Sequence, residues 1–342
     1  MAESAQLPFQ PIRGELYSSE ELMRGYDPDN PLSMASIPDF KTFVYFVKNG
    51  RATPRDPYAG MMEALHDNSI LQSMFRFIET CDCPTAAIMG GHKEERGSSS
   101  YKSVTLLSKR LTENGFLMAS GGGPGAMEAT HLGAILSGKG DDEVDKALTS
   151  LQQEKALPNS KNIVDESGNV DGSMVEEIHK WAKPAFELFK DIKQPGLSLA
   201  VPTWHYGHEP LTPLATHVAK YFQNSIREDV LLALAGNGII FAPGRAGTLQ
   251  EVFQDAAQNY YHGANEPFSP MVFFDTAFWR NELPIEPLLE ALFTNNGKGE
   301  EYEKKVRFMD DIDEIVDFLV EQKNQSKEGT SRFEAMGMGL NF

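Results

Sequence analysis

Two stretches of this chain have the residue types and spacing to hold a phosphate. Gly121–Ala129 reads GGGPGAMEA, and Pro243–Glu251 reads PGRAGTLQE. Each follows a short apolar run and opens a helical pattern. Glycine permits positive φ and lets the backbone approach a ligand closely. The free amides at a helix start attract anions. Four glycines in the five residues 121–125 exceed what a tight turn alone requires. Two such turns in one chain suggest a nucleotide phosphate held by main-chain N–H groups.

The side chains around these turns also have plain structural readings. Thr248 is placed to cap the following helix with its hydroxyl. Thr248-x-x-Glu251 matches a capping box, in which Glu251 would merely hold a backbone N–H. Glu251 is therefore either a cap partner or a carboxylate free to act on a ligand. Arg227, ahead of an apolar helix that leads into the strand Ile239–Ala242, is by itself an ordinary surface arginine. Glu128 by itself is a first-turn carboxylate suited to the helix dipole.

Three other chemistries fit less well. No Gly-Lys-Ser/Thr follows the second turn, so it is not a Walker loop. Gly121, Gly123 and Ala126 match the G-x-G-x-x-A of dinucleotide sites. The chain then runs into Gly138-Lys139-Gly140-Asp141-Asp142 without the further strand and acidic residue that fingerprint needs. A pyridoxal-phosphate decarboxylase requires a Schiff-base lysine, and neither turn carries one.

The elements that must position these residues follow an alternating pattern. Short apolar runs at Thr85–Met89, Phe116–Ala119, Leu197–Val201, Ile239–Ala242 and Met271–Phe274 read as buried strands. Between them lie helical patterns at Ser99–Asn114, Ala126–Leu136, Leu214–Ala235 and Thr248–Tyr261. Pro287–Phe293 and Ile312–Lys323 read as closing helices. The expected fold class is α/β, a Rossmann-like open parallel sheet with helices on both faces. An N-terminal arm and a helical insertion are added to it. Residues 1–80 form a proline-rich extension that includes a helix at Gly60–Thr80, and they read as an arm wrapping the core or a partner subunit, or as a partly ordered leader. Residues 81–300 hold the nucleotide-binding domain, with a charged insertion at 138–194 that includes a helix at Met174–Lys190. Residues 301–342 read as a C-terminal helix and loose tail. The loop Pro202–Pro213 carries Trp204, His205, Tyr206 and His208.

Composition narrows the partners. The chain has 342 residues, 41% of them apolar, which is enough for a sizeable core, and no apolar run approaches the length of a membrane span. A net charge of −18 without a dense Lys/Arg cluster argues against nucleic acid as a partner. The opening MAESAQLPFQPIRGE does not read as a secretory signal. Cys81 and Cys83 are too close for an ordinary disulfide and too few for a cysteine-built zinc site, so the expectation is two free thiols in a reducing cytoplasm. No motif calls for a metal or a cofactor.

Strand-GGGPGAMEA-helix, an arginine-bearing helix and strand-PG-x-x-GT-x-x-E-helix together resemble the LOG family. Its members are often labelled lysine decarboxylases and include nucleoside 5′-monophosphate phosphoribohydrolases. Gly90-Gly91-His92 after the first strand and the run Gly123–Ala129 are most similar to the larger bacterial nucleotide 5′-monophosphate nucleosidases. The resemblance covers about residues 84–295. It implies cleavage of the N-glycosidic bond of a nucleoside 5′-monophosphate in a cleft between the two turns, without a cofactor. Gly244, Arg245, Gly247 and Thr248 would bind the 5′-phosphate. Glu251 would act at the ribose, with Arg227 holding phosphate or that carboxylate. Gly90, Gly91, His92, Gly122, Gly123, Met127 and Glu128 would surround ribose and base. A homodimer or larger homo-oligomer is also implied. Two positions depart from the family pattern, Arg245 where it has glycine and Gln250 where it is often acidic. The long insertion argues against the cytokinin-precursor role of small plant-type members. On residues alone, the competing reading is a nucleotide-binding sensor or carrier without chemistry.

Overall fold

Among the described residues, seven short apolar segments pair side by side, all parallel. They are β1 (Thr85–Met89), β2 (Leu117–Ser120), β3 (Ser198–Ala200), β4 (His217–Val218), β5 (Ile239–Phe241), β6 (Met271–Phe274) and β7 (Val306–Met309). Their order is β4-β3-β2-β1-β5-β6-β7. Strands β1, β2, β3, β5 and β6 are buried along their whole length. That fits continuous apolar runs covered on both faces. The computed structural model describes residues 7–206, 213–262 and 268–325.

The helices are α1 (Ser19–Leu22), α2 (Pro38–Lys48), α3 (Pro57–Cys81), α4 (Ser99–Glu113), α5 (Ala126–Ile135), α6 (Asp141–Leu151), α7 (Gly172–Asp191), α8 (Asn224–Leu234), α9 (Ala246–Tyr261), α10 (Glu286–Thr294), α11 (Gly299–Lys305) and α12 (Ile312–Gln325). They build one apolar core on each side of the sheet. Val104, Leu107, Leu111, Leu132 and Leu319, from α4, α5 and α12, pack on one face. Phe46, Ile70, Trp181, Val252 and Leu289, from α2, α3, α7, α9 and α10, pack on the other. The architecture is thus the α/β Rossmann-like open sheet expected from the alternation. Among the described residues, no helix is long and apolar enough to cross a membrane.

Strand order decides where a ligand can sit. From β1 the chain moves through β2 and β3 to β4 on one side, then returns to place β5, β6 and β7 on the other. The reversal between β1 and β5 opens a crevice at the carboxyl ends of those strands, the usual ligand position in open parallel sheets. Gly90-Gly91 follows β1 and Pro243-Gly244 follows β5, so the topology brings both to this switch point.

Several elements differ from the sequence reading. The helix expected over Leu214–Ala235 begins only at Asn224, because His217–Val218 pairs with Leu199–Ala200 as an edge strand. A two-residue strand is too short to produce an alternation. Val306–Met309 forms β7 beside β6, so the sheet runs on beyond residue 300. Asp141–Leu151 of the charged insertion is an amphipathic helix with Val144, Ala147, Leu148 and Leu151 buried. His208 and residues 326–342 of the expected tail lie outside the described residues.

Cys81 and Cys83, expected as free thiols, are joined in a disulfide with Cα atoms 5.1 Å apart. Asp82 between them ends α3 in the left-handed region, φ 47°, and this turn folds the two side chains together.

The arm is part of the core. Tyr17 pairs with Val218 on the edge strand, and Phe9, Leu22, Met23 and Met34 are buried. Tyr26 stacks on His179 of α7 with ring centroids 4.9 Å apart and tilts against Phe186 at 4.4 Å. The inserted helix α7 is therefore held between arm and sheet.

Candidate active site

Three strand ends meet through Gly91. Its N–H donates to the Pro243 carbonyl at 2.9 Å, and its carbonyl accepts from Ala126 N–H at 3.2 Å. One residue therefore ties the turn after β1 to both glycine-rich turns. Gly125 adopts φ +74°, and a Cβ there would collide with the Gly91 carbonyl oxygen. A side chain at this position would push the turns apart. Gly90 is equally confined, 2.7 Å from Ala126 Cβ and 3.1 Å from Ala242 Cβ for any added Cβ. His92 stands exposed at the rim.

The first turn is fixed from below. His131 on α5 bonds the Gly121 carbonyl through Nε2 at 2.9 Å. Burial pushes the His131 imidazole down to about 4, so it is neutral and donates this bond at ordinary pH. Gly122 packs on the Pro202 ring after β3, and Gly123 is buried. The Met127 side chain lies over Gly121, and the Arg227 guanidinium would sit 2.9 Å from a Cβ on that glycine. Nothing in the sequence marks His131 for this task, because a lone histidine on a helix carries no spacing signal.

The second turn leads into α9 without a side-chain cap. The N-cap is Arg245, whose side chain makes no capping bond, so no cap from that residue occupies the first-turn amides. The capping box expected as one reading of Thr248 and Glu251 does not form, because Thr248 already lies inside the helix. Thr248 turns its hydroxyl back against Gly244 instead. Gly247 is exposed with open space beside it. Arg245 is not drawn over this turn. Its exposed guanidinium pairs with Glu282 at 3.2 Å and sits over the Phe278 ring.

Glu251 lies three residues beyond Thr248, on the same helix face. Its carboxylate is 15% exposed and sits 3.7 Å from the Arg227 guanidinium on α8. Arg227 also donates through Nε to the Val201 carbonyl at 3.1 Å, at the end of β3. Burial pushes the Glu251 carboxyl up to about 7. The Arg227 charge opposes this shift and Glu228 adds to it. A carboxylate so poorly solvated, with one cation just beyond hydrogen-bonding distance, is poised to interact with positive charge. Gln250 has a different task. It donates to Glu228 Oε2 at 2.9 Å, while Asn224 donates to Oε1 at 2.7 Å. An amide at 250 therefore fastens α9 to α8 where an acidic residue would repel Glu228.

Glu128 does not face the cleft. It is fully buried, with Arg96 Nη2 donating to Oε1 at 2.6 Å, and Arg96 Nε and Tyr101 Oη donating to Oε2 at 2.7 and 2.9 Å. Both oxygens are occupied, so its expected contact with ribose or base is corrected to a buried anchor. Arg96 also donates to the Trp181 carbonyl at 2.7 Å and lies 4.0 Å from the Trp181 ring centroid. This links the GPGAME helix to the inserted helix α7. No motif in the sequence marks Arg96 or Tyr101 for this task.

Among the described residues, no group of three or more His, Cys, Asp or Glu side chains is gathered as metal ligands. The turns offer amides for an anion, and Glu251 with Arg227 offers a charge pair at the same crevice. Compared with known proteins, the chain matches no family model and no curated protein.

Proposed function

We propose that the chain hydrolyses the N-glycosidic bond of a nucleoside 5′-monophosphate, giving free base and ribose 5-phosphate. The observation that carries this reading is the meeting of both glycine turns at Gly91, with the half-buried Glu251–Arg227 pair beside Gly121. The uncapped start of α9 offers amides to the 5′-phosphate. Binding energy from that remote group then positions the sugar.

Cleavage of the bond between C1′ and the base nitrogen leaves the sugar oxocarbenium-like. An ionised Glu251 stabilises that cation and orients water toward C1′. The water oxygen bonds to C1′, its proton leaves with the base, and no other reactant is needed. Arg227 holds the carboxylate in place and adds positive charge near the phosphate. The likeness to the LOG family supports the same reading and carries with it a homodimer or larger homo-oligomer.

The test is incubation with AMP, GMP, CMP and UMP, followed by chromatography for free base. At least one nucleotide is expected to release base, with kcat/KM rising as pH increases through about 7, because the carboxyl must ionise and burial delays that ionisation. The second phosphate ionisation, near pH ~6, gives a separate and lower limb. Tight nucleotide binding without base release would overturn the hydrolase and identify a non-catalytic sensor or carrier.

A further inference from the structure

We propose that Asp67, in the N-terminal extension, is a positioning residue that holds the start of α8, and with it Arg227, in register against the glycine turns. This rests on the function proposed above. It extends the site beyond residues 84–295, where the family likeness lies.

The α8 helix lacks a cap of its own, since its N-cap residue Gln223 makes no side-chain capping bond. Asp67, on α3, instead grips the two residues that lead into it. Its Oδ1 accepts the Phe222 N–H and its Oδ2 the Gln223 N–H, both at 2.9 Å. A carboxylate there also suits the positive end of the α8 dipole. The Gln223 carbonyl in turn accepts the Arg227 N–H at 3.4 Å. A single residue thus carries the bond from Asp67 on one side and the bond to Arg227 on the other.

Asp67 is itself locked. It is fully buried, and His66 Nδ1 lies 3.1 Å from Oδ1. His66 Nε2 meets the Tyr17 hydroxyl at 2.8 Å. Tyr17 exchanges two main-chain bonds with Val218 on the edge strand, at 3.1 and 2.8 Å. The arm, α3 and the sheet therefore all bear on where α8 begins. The Arg227–Glu251 separation of 3.7 Å depends on that start, because the two side chains lie on different helices.

Asp67→Asn keeps the shape but presents an N–H₂ where one of two backbone N–H groups now finds an acceptor. The full-length variant is compared with wild type by three readouts: the Glu251 titration in carboxyl-labelled protein by 13C NMR, the split between kcat and KM for a nucleotide that releases base, and calorimetric binding of ribose 5-phosphate. The Glu251 midpoint is expected to move upward, since a displaced Arg227 no longer opposes the effect of burial. kcat is expected to fall on the order of tenfold. Ribose 5-phosphate binding is expected to weaken less than kcat falls, because its main anchor, the turn at the start of α9, is untouched. Ile70→Val on the same helix is the control, expected to lower Tm slightly and move none of the three. His66→Gln, which removes one bond to Asp67 and keeps both amide bonds, is expected to shift the titration and kcat in the same direction by less. It decides the matter if Asp67→Asn does not fold. A folded Asp67→Asn or His66→Gln protein with wild-type Glu251 titration and wild-type kcat would overturn the proposal. If wild type releases no base from any nucleotide, the functional reading falls, while the titration still decides whether Asp67 sets the position of Arg227.

Discussion

Glu251→Gln is expected to lower base release by about 10²–10³-fold in kcat, with little change in KM. The amide has nearly the same shape, so the pair with Arg227 loses its charge without leaving a cavity. The phosphate anchor at the start of α9 is untouched, which keeps ground-state binding. The same substitution is expected to stabilise the protein in alkaline solution. The Glu251 carboxyl rises from an ordinary 4.5 to about 7 in the folded chain. A raised carboxyl favours folding at low pH, and that contribution is lost as pH rises through the folded value. At pH 8 the buried charge therefore costs up to about 3 kcal/mol, at 1.36 kcal/mol per unit. Glutamine has no proton to lose, so the variant should melt higher than wild type at pH 8 but not at pH 4. Scanning calorimetry at the two pH values checks the stability arm, and chromatography for base checks the activity arm. Unchanged turnover would remove Glu251 from the chemistry. Lost turnover without a stability gain at pH 8 would mean that the carboxylate is better compensated than its burial beside a single guanidinium implies.

The fold was legible where the chain is buried on both faces. Met271–Phe274 and Thr85–Met89 are continuous apolar runs, and both form strands with the expected bounds. His217–Val218 and Val306–Met309 lie at the two edges of the sheet. There a strand is short or half-covered, and periodicity vanishes. Glycine turns were legible because glycine clusters mark backbone that must come close to something. What they approach was only partly legible. That Gly91 links both turns depends on strand order, which no local pattern contains. The side chains divide in the same way. The spacing of Glu251 from Thr248 restricted it to a cap or a free carboxylate, and only the family likeness pointed to the ribose. The partners of Arg245 were not legible, because Glu282 and Phe278 lie far along the chain. Asp67, Arg96 and His131 were invisible for a related reason. Each acts on a backbone or carboxylate partner at least ten residues away, and sequence spacing carries no record of such contacts.

Arg96→Met is expected to be the most destabilising single change near the site, by about 3–5 kcal/mol. Arg96 and Glu128 are both almost fully removed from water, 1% and 0% exposed. Removing the guanidinium leaves Glu128 with the Tyr101 hydroxyl as its remaining side-chain partner. It also strips the Glu154 and Trp181 carbonyls of a donor. Methionine fills much of the space and can still lie on the Trp181 ring, so the loss reports the stranded charge more than a cavity. Tm is expected to fall by roughly 5–10 °C in a chain of this size. The discriminating variant combines Arg96→Met with Glu128→Leu. Replacing both partners of a buried pair with apolar side chains is often close to neutral, so the double variant should recover most of the lost Tm. Recovery would establish that the pair serves position more than stability, since an apolar pair can replace it in the core. If so, the double variant should melt near wild type yet lose activity, because the start of α5 and the turn before it are no longer fixed to α7. A double variant as unstable as Arg96→Met alone would instead assign the loss to the Trp181 and Glu154 carbonyls.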